Sequence, residues 1–130
     1  KRQKQIMTGK ETYYTSDHLW VEHVGGSLYR IGVTYEYLDR LATIRIVELP
    51  EAGSKIEQGT NMAVLESSKA AVELPAPFNG IVSKANAEAV ADPGIINREP
   101  MGKGWLLEVE YDSSGSPGGL ITEEEYRKLL

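Results

Sequence analysis

Thirteen glycines and six prolines break the 130-residue chain into short runs, and that punctuation limits the fold more than any other feature. The runs between them are rich in Val, Ile, Leu, Tyr and Trp. Many short β-rich segments with frequent turns predict a small sandwich or flattened barrel. HLWVEHV (18–24) and LYRIGVT (28–34) flank Gly-Gly-Ser and read as a hairpin. YEYLDRLA (35–42) follows, with Tyr37, Leu38 and Leu41 at helical spacing, so one or two helical turns are expected. In TIRIVELP (43–50), Ile44, Ile46 and Leu49 are expected on one face of a strand that Pro50 closes. EAGSKIEQG (51–59) is a turn-rich connection.

NMAVLE (61–66) and AAVELPAP (70–77) read as two strands around a turn that carries Lys69. PAPFNG (75–80) makes another turn, where Gly80 is expected to serve tightness, and GIVSKANA (80–87) leaves it as a strand. ADPGIINREPMGKG (91–104) is predicted to be a long loop, with WLLEVEY (105–111) the last strand. SSGSPGG (113–119) has linker composition. In ITEEEYRKLL (121–130), Thr122 and Glu125 form a capping box. Ile121 and Tyr126 stand at the hydrophobic-staple positions. The organisation expected is a flexible segment at 1–12, a domain at 13–112, a linker at 113–119, and a helix at 120–130 packing on the domain.

Composition removes several function classes. There are no cysteines, which excludes disulfides, thiolate metal sites and a cysteine nucleophile. The net charge is −5, and basic residues concentrate only in the opening KRQKQIMTGK, so nucleic acid is not the expected partner. No apolar run approaches a membrane span, and no signal-peptide pattern opens the chain. His18 and His23, the two histidines, are five apart on a strand and turn and do not share a face as a metal pair. No phosphate-binding glycine loop lies between a strand and a helix, and no pair of carboxylates stands out as general acid and base. An independent enzyme has no constellation to support it.

Lys69 is the one residue whose setting suggests chemistry. Apolar strands on both sides would hold a rigid tip with a single amine projecting from it, open to a modifying enzyme. The plain alternative is a solubilising turn lysine on an unmodified interaction module.

Glu66-Ser67-Ser68-Lys69-Ala70 resembles the lipoyl-attachment run of the glycine cleavage system H protein family, Glu-Ser-Val-Lys-Ala. HLWVE (18–22), IGVT (31–34), VELPEAG (47–53), Pro77 to Gly80, Asn86, Ile96-Asn97, Pro100 and Gly104-Trp105 resemble further family motifs in order. The resemblance implies a lipoyl/biotinyl-domain-like barrel-sandwich hybrid, mostly β, with short helices and a C-terminal helix. It implies lipoate bound covalently as an amide to Lys69, with Glu66, Ser67, Ser68 and Ala70 as its recognition context, and a non-catalytic carrier. Implied partners are a lipoate–protein ligase or lipoyl transferase, glycine decarboxylase, aminomethyltransferase and dihydrolipoamide dehydrogenase. The implied compartment is the bacterial cytoplasm, with a mature mitochondrial form as the alternative. A biotin carrier would bracket its lysine with methionines, whereas Ser68 and Ala70 stand here.

The departures from the family pattern cluster. Leu19 replaces a Glu that holds the charged aminomethyl nitrogen in a cleft, and leucine accepts no hydrogen bond. Asp17, His18, Leu19 and Glu73 are the expected arm-cleft positions, with Asp17 and Glu73 able to supply carboxylates. Tyr37 replaces Ala, and Ala42-Thr43 replace a Gly-Asp pair. These changes also fit an H-like lipoate-binding protein serving another pathway, notably sulfur oxidation with a heterodisulfide-reductase-like complex, or a lipoate relay.

Overall fold

The computed structural model describes residues 11–130; the basic opening segment lies outside them. Among the described residues, nine strands form two antiparallel sheets. β1 (Thr12–Tyr14), β2 (Leu19–Gly25), β3 (Leu28–Val33), β9 (Leu107–Tyr111), β8 (Gly80–Ala85) and β5 (Lys55–Ile56) lie side by side in that order. β4 (Ile44–Glu48), β6 (Asn61–Ser67) and β7 (Ala71–Pro75) make a second sheet with β6 central. The inner faces supply one core, in which Leu19, Val21, Ile31, Val33, Leu65, Leu74, Leu107 and Val109 have no measurable exposure. This is the mostly β barrel-sandwich architecture expected.

The β2–β3 hairpin forms around Gly25-Gly26-Ser27 as its sequence predicts, pairing Leu19 with Val33 and His23 with Tyr29. α1 (Tyr35–Leu41) follows at once. Its N-cap is Thr34, whose hydroxyl accepts from the Tyr37 N–H, and it buries Leu38 and Leu41. α4 (Glu123–Arg127) carries the predicted capping box. Its Tyr126 seats in a second cluster with Tyr14 and Trp20, against which Ile121 and Trp105 pack. The backbone of Ile121 pairs with Tyr14, and Pro117 and Leu120 in the glycine-rich segment before it are buried and partly buried.

Four expectations change. The face assigned to β4 fails at Ile46, which is 48% exposed while Val47 is buried. A register shift between Ile44 and Ile46 against β6 breaks the alternation there, and one extra residue reverses which side chains point inward. The region at 91–104 is not one long loop. α2 (Ala87–Ala91) runs into it and α3 (Gly94–Arg98) forms inside it, burying Ile95 and Ile96. Pro93 starts α3 with φ −58°, already helical. A five-residue helix is too short to show a period in sequence. The strand expected over 80–87 ends at Ala85. There the buried Asn86 caps α2 by accepting from the Glu88 N–H and donates to the carbonyls of Lys103 and Trp105. Gly80 pairs inside the sheet with Ile56 and Tyr111. A Cβ there would collide with the Glu110 carbonyl oxygen, so close approach rather than turn geometry requires glycine.

Candidate functional site

β6 and β7 are joined by Ser68-Lys69-Ala70, so Lys69 stands at the tip of the hairpin. Ser67 organises that tip. Its backbone N–H donates to the Ala70 carbonyl at 2.8 Å. Its hydroxyl oxygen accepts from the Lys69 N–H at 3.1 Å and the Ala70 N–H at 3.2 Å. A serine hydroxyl that satisfies two turn amides fixes the backbone locally without help from the core. The strands on either side are anchored by Leu65 and Leu74, both fully buried. The Lys69 side chain is exposed and makes no ion pair among the described residues. An amine held this way is open to acylation, which fits covalent attachment of a carboxylic acid as an amide. Acylation would remove its positive charge.

The hairpin also sorts the carboxylates. Glu66 stands opposite Ala71 and Ile46, and Glu73 opposite Val64, which is itself opposite Glu48. Because side chains alternate, Glu66 and Glu73 share the outer face of this sheet, diagonal to each other below the tip. Glu66 is half-buried and Glu73 exposed.

Asp17, His18 and Leu19 lie elsewhere, where the chain enters β2. Leu19 is fully buried in the main core, out of reach of anything docked on the surface. His18 has a φ of 70°. Its ring stacks on Tyr37 with centroids 4.8 Å apart. Nε2 is 3.5 Å from the Arg40 guanidinium, which can only donate, so Nε2 accepts. Nδ1 then carries the proton and donates to the Tyr126 oxygen at 2.8 Å. The Tyr126 hydroxyl shares a second hydrogen bond with Thr34 Oγ1, also at 2.8 Å. Burial lowers the His18 pKa below its ordinary value and the Arg40 charge lowers it further, against the opposing pull of Asp17 and Glu36. Burial raises that of Tyr126. This network ties α4 to α1 and β2, and the Arg40 charge beside His18 works against holding a charged amine there.

α1 separates the two places. Thr34 at its start donates its N–H to the His18 carbonyl. Its seven residues span about 10 Å. It ends at Ala42, two residues before Ile44, which pairs with Ser67 at the base of the tip. Ala42 has φ 69° and ψ −156°, backbone torsions that glycine adopts far more readily than alanine. Asn97 of α3 clips this junction. Its Nδ2 donates to the Ala42 carbonyl at 2.9 Å and its Oδ1 accepts from the Ile44 N–H at 2.8 Å. A shallow cavity of about 260 Å³ opens there, lined by Tyr35, Leu38, Asp39, Ala42, Thr43 and Asn97.

Sequence reading located the hairpin residues but not the roles of Thr34, Arg40 and Tyr126, because their contacts span long sequence separations. Thr34 and Tyr126 are 92 residues apart. No group of three or more His, Cys, Asp or Glu able to hold a metal occurs among the described residues. No helix among them is long and apolar enough to cross a membrane.

The family model described as "Glycine cleavage H-protein" matches residues 12–130. A glycine cleavage system H protein from Carboxydothermus hydrogenoformans is 37% identical over 93% of this chain and 92% of its own length. A probable mitochondrial glycine cleavage system H protein 1 from Dictyostelium discoideum is 36% identical over 92% of this chain and 82% of its own. The crystal structure of a glycine cleavage system H protein from Mycobacterium marinum is 32% identical and superposes with a TM-score of 0.81. It covers 91% of this chain and 94% of that one.

Proposed function

The chain belongs to the glycine cleavage H-protein family, and from that premise we propose that Lys69 carries lipoate as an amide and serves a set of partner enzymes in turn. As a family member it is a carrier subunit and is not itself catalytic. The observation that carries the proposal is the tip itself. An exposed amine projects from a turn whose amides are pinned by Ser67, on strands anchored in the core. Such a tip enters an active site without rearranging the domain behind it.

Lipoate, when bound, supplies a dithiolane that opens to take up a group at one active site and release it at the next. The chain's own contribution is to tether that group. A linked group reaches neighbouring sites at about millimolar effective concentration. A lipoate–protein ligase or lipoyl transferase would load Lys69, reading Glu66 on the outer face beside it. Glycine decarboxylase, aminomethyltransferase and dihydrolipoamide dehydrogenase would then use the loaded carrier, in a bacterial cytoplasm.

One observation favours a second reading. The β2 entrance offers a buried leucine and an arginine-flanked histidine where an acceptor for a charged amine is expected. That suits a lipoyl carrier for another pathway, such as a heterodisulfide-reductase-like sulfur-oxidising complex. Glycine–bicarbonate exchange separates the two. The lipoylated protein, supplied to a glycine decarboxylase as the sole carrier, supports exchange if the first reading holds. No exchange, with a conventional carrier active alongside, points to the second.

A further inference from the structure

We propose that a cavity beneath the 113–120 segment binds a small alkylammonium ion. It lies at the turn end of the β2–β3 hairpin, whereas α1 follows the opposite end of β3. Lys69 takes no part in it, and the inference goes beyond the carrier reading. Register builds the site. Tyr13 pairs with Val21, Val21 with Ile31, and His23 with Tyr29. The His23 N–H donates to the Glu11 carbonyl at 3.0 Å, which extends the ladder by one more pair. Because side chains alternate along a strand, Glu11, Tyr13, His23 and Tyr29 share one face of the sheet. Val21 and Ile31, next on that face, are fully buried in the core. Pro117 and Leu120 roof this part of the face, and no residue of β4, β6 or β7 lines the cavity. The roof is held at both ends. The Asp112 N–H donates to the Asn79 carbonyl at 3.2 Å, and Ile121 exchanges two 2.8 Å backbone bonds with Tyr14. The volume is about 190 Å³, below the roughly 300–1,000 Å³ of sites for drug-sized ligands, so the occupant is small.

The lining selects a cation. It contains no lysine or arginine. One oxygen of the Glu11 carboxylate accepts from the Tyr13 hydroxyl at 2.7 Å, and the other has no partner among the described residues. The Tyr13 pKa is raised, first by that hydrogen bond, then by burial and by the nearby Glu11 and Tyr29 groups. The Tyr29 phenol therefore lies close to that of Tyr13. Tyr29 is only 4% exposed, and its hydroxyl has no hydrogen-bond partner among the described residues, a state that buried polar groups avoid. Nε2 of His23 is 2.8 Å from the Gly26 carbonyl oxygen, which only accepts, so Nε2 carries the proton. The neutral ring keeps Nδ1 as an acceptor. That ring tilts over Tyr29 with centroids 4.9 Å apart. Aromatic faces attract cations through their quadrupoles. An ammonium group supplies both the charge that Glu11 faces and the N–H donors that Glu11, Tyr29 and His23 can accept. The buried Pro117 and half-buried Leu120 give its alkyl part apolar contact.

The test titrates the full chain, labelled with ¹⁵N, with propylammonium chloride at constant pH and chloride, beside 1-propanol as the uncharged match. The amides of Tyr13, His23, Tyr29 and Leu120 should shift saturably with propylammonium, while those around Lys69 stay still. 1-Propanol should bind several-fold more weakly. Glu11→Gln and Tyr29→Phe should each weaken propylammonium several-fold, with thermal melts run on both. Glu11→Gln changes an exposed side chain, so it decides the matter even where the buried Tyr29→Phe fails to fold. No saturable shift at these amides would overturn the proposal. Equal affinity for 1-propanol would overturn it too, by marking a pocket that reads only apolar surface, as would unchanged affinity in Glu11→Gln. None of these outcomes depends on loading Lys69, so failure here leaves the carrier reading where it stands.

Discussion

Ala42 sits in torsions that favour glycine, and replacing it tests whether the α1–β4 junction is strained. At φ 69° and ψ −156° its Cβ faces the backbone crowding that glycine lacks, and such positions cost about 1–3 kcal/mol. The junction cannot relax cheaply. The Ala42 N–H donates to the Leu38 carbonyl at 2.9 Å, and Asn97 grips the carbonyl of Ala42 and the N–H of Ile44. Ala42→Gly removes the strain but adds freedom to the unfolded chain, which costs about 0.4–1 kcal/mol. The balance is a stabilisation of about 1 kcal/mol, or a rise in Tm of about 3–5 °C for a chain of this size. Urea unfolding followed by tryptophan fluorescence, with thermal melts alongside, measures it. A loss of stability in Ala42→Gly would mean that alanine is at ease there, and the claim of strain would be wrong.

Asn97→Ala removes both clip bonds and leaves the Ile44 N–H unpaired, so it should cost about 2–3 kcal/mol in urea unfolding. A cost under about 0.5 kcal/mol would show that the clip is ornamental. Tyr126→Phe keeps the ring stacked on Tyr14, centroids 5.0 Å apart, but loses the hydroxyl shared by His18 and Thr34. It should destabilise by about 1–2 kcal/mol and speed amide exchange in α4 and α1 together rather than in α4 alone. The lowered pKa of His18 means the unfolded chain binds its proton first as pH falls. Stability from this group is therefore complete above about pH 6.5. It declines as pH drops from there toward the lowered folded value. His18→Asn should flatten that part of the pH profile, and an unchanged profile would remove His18 as its source.

The hairpins and the terminal capping box were legible because their signals are local. A Gly-Gly turn between β-rich runs, and Thr122 three residues ahead of Glu125, need no distant partner to be read. Lys69 was legible as an amine on a turn between strands, open to modification, and only the ordered resemblance around it suggested which group it would carry. β4 was misread because a bulge leaves no mark in a run as short as IRIV. α3 was hidden by Pro93 and Gly94, which usually mark loops but here begin a helix stabilised by burying Ile95 and Ile96. The torsions of Ala42, the Asn97 clip and the His18–Tyr126–Thr34 chain depend on segments meeting in three dimensions. No periodicity or spacing announces them.

The most direct test of the central claim is a peptide mass map of the protein after incubation with lipoate, ATP and a lipoate–protein ligase. The account predicts one lipoyl group, carried entirely on the peptide containing Lys69, and none on a Lys69→Arg protein that folds as well as the original. A protein that stays unmodified while a control carrier is loaded, or a lipoyl group that persists in Lys69→Arg, would contradict it.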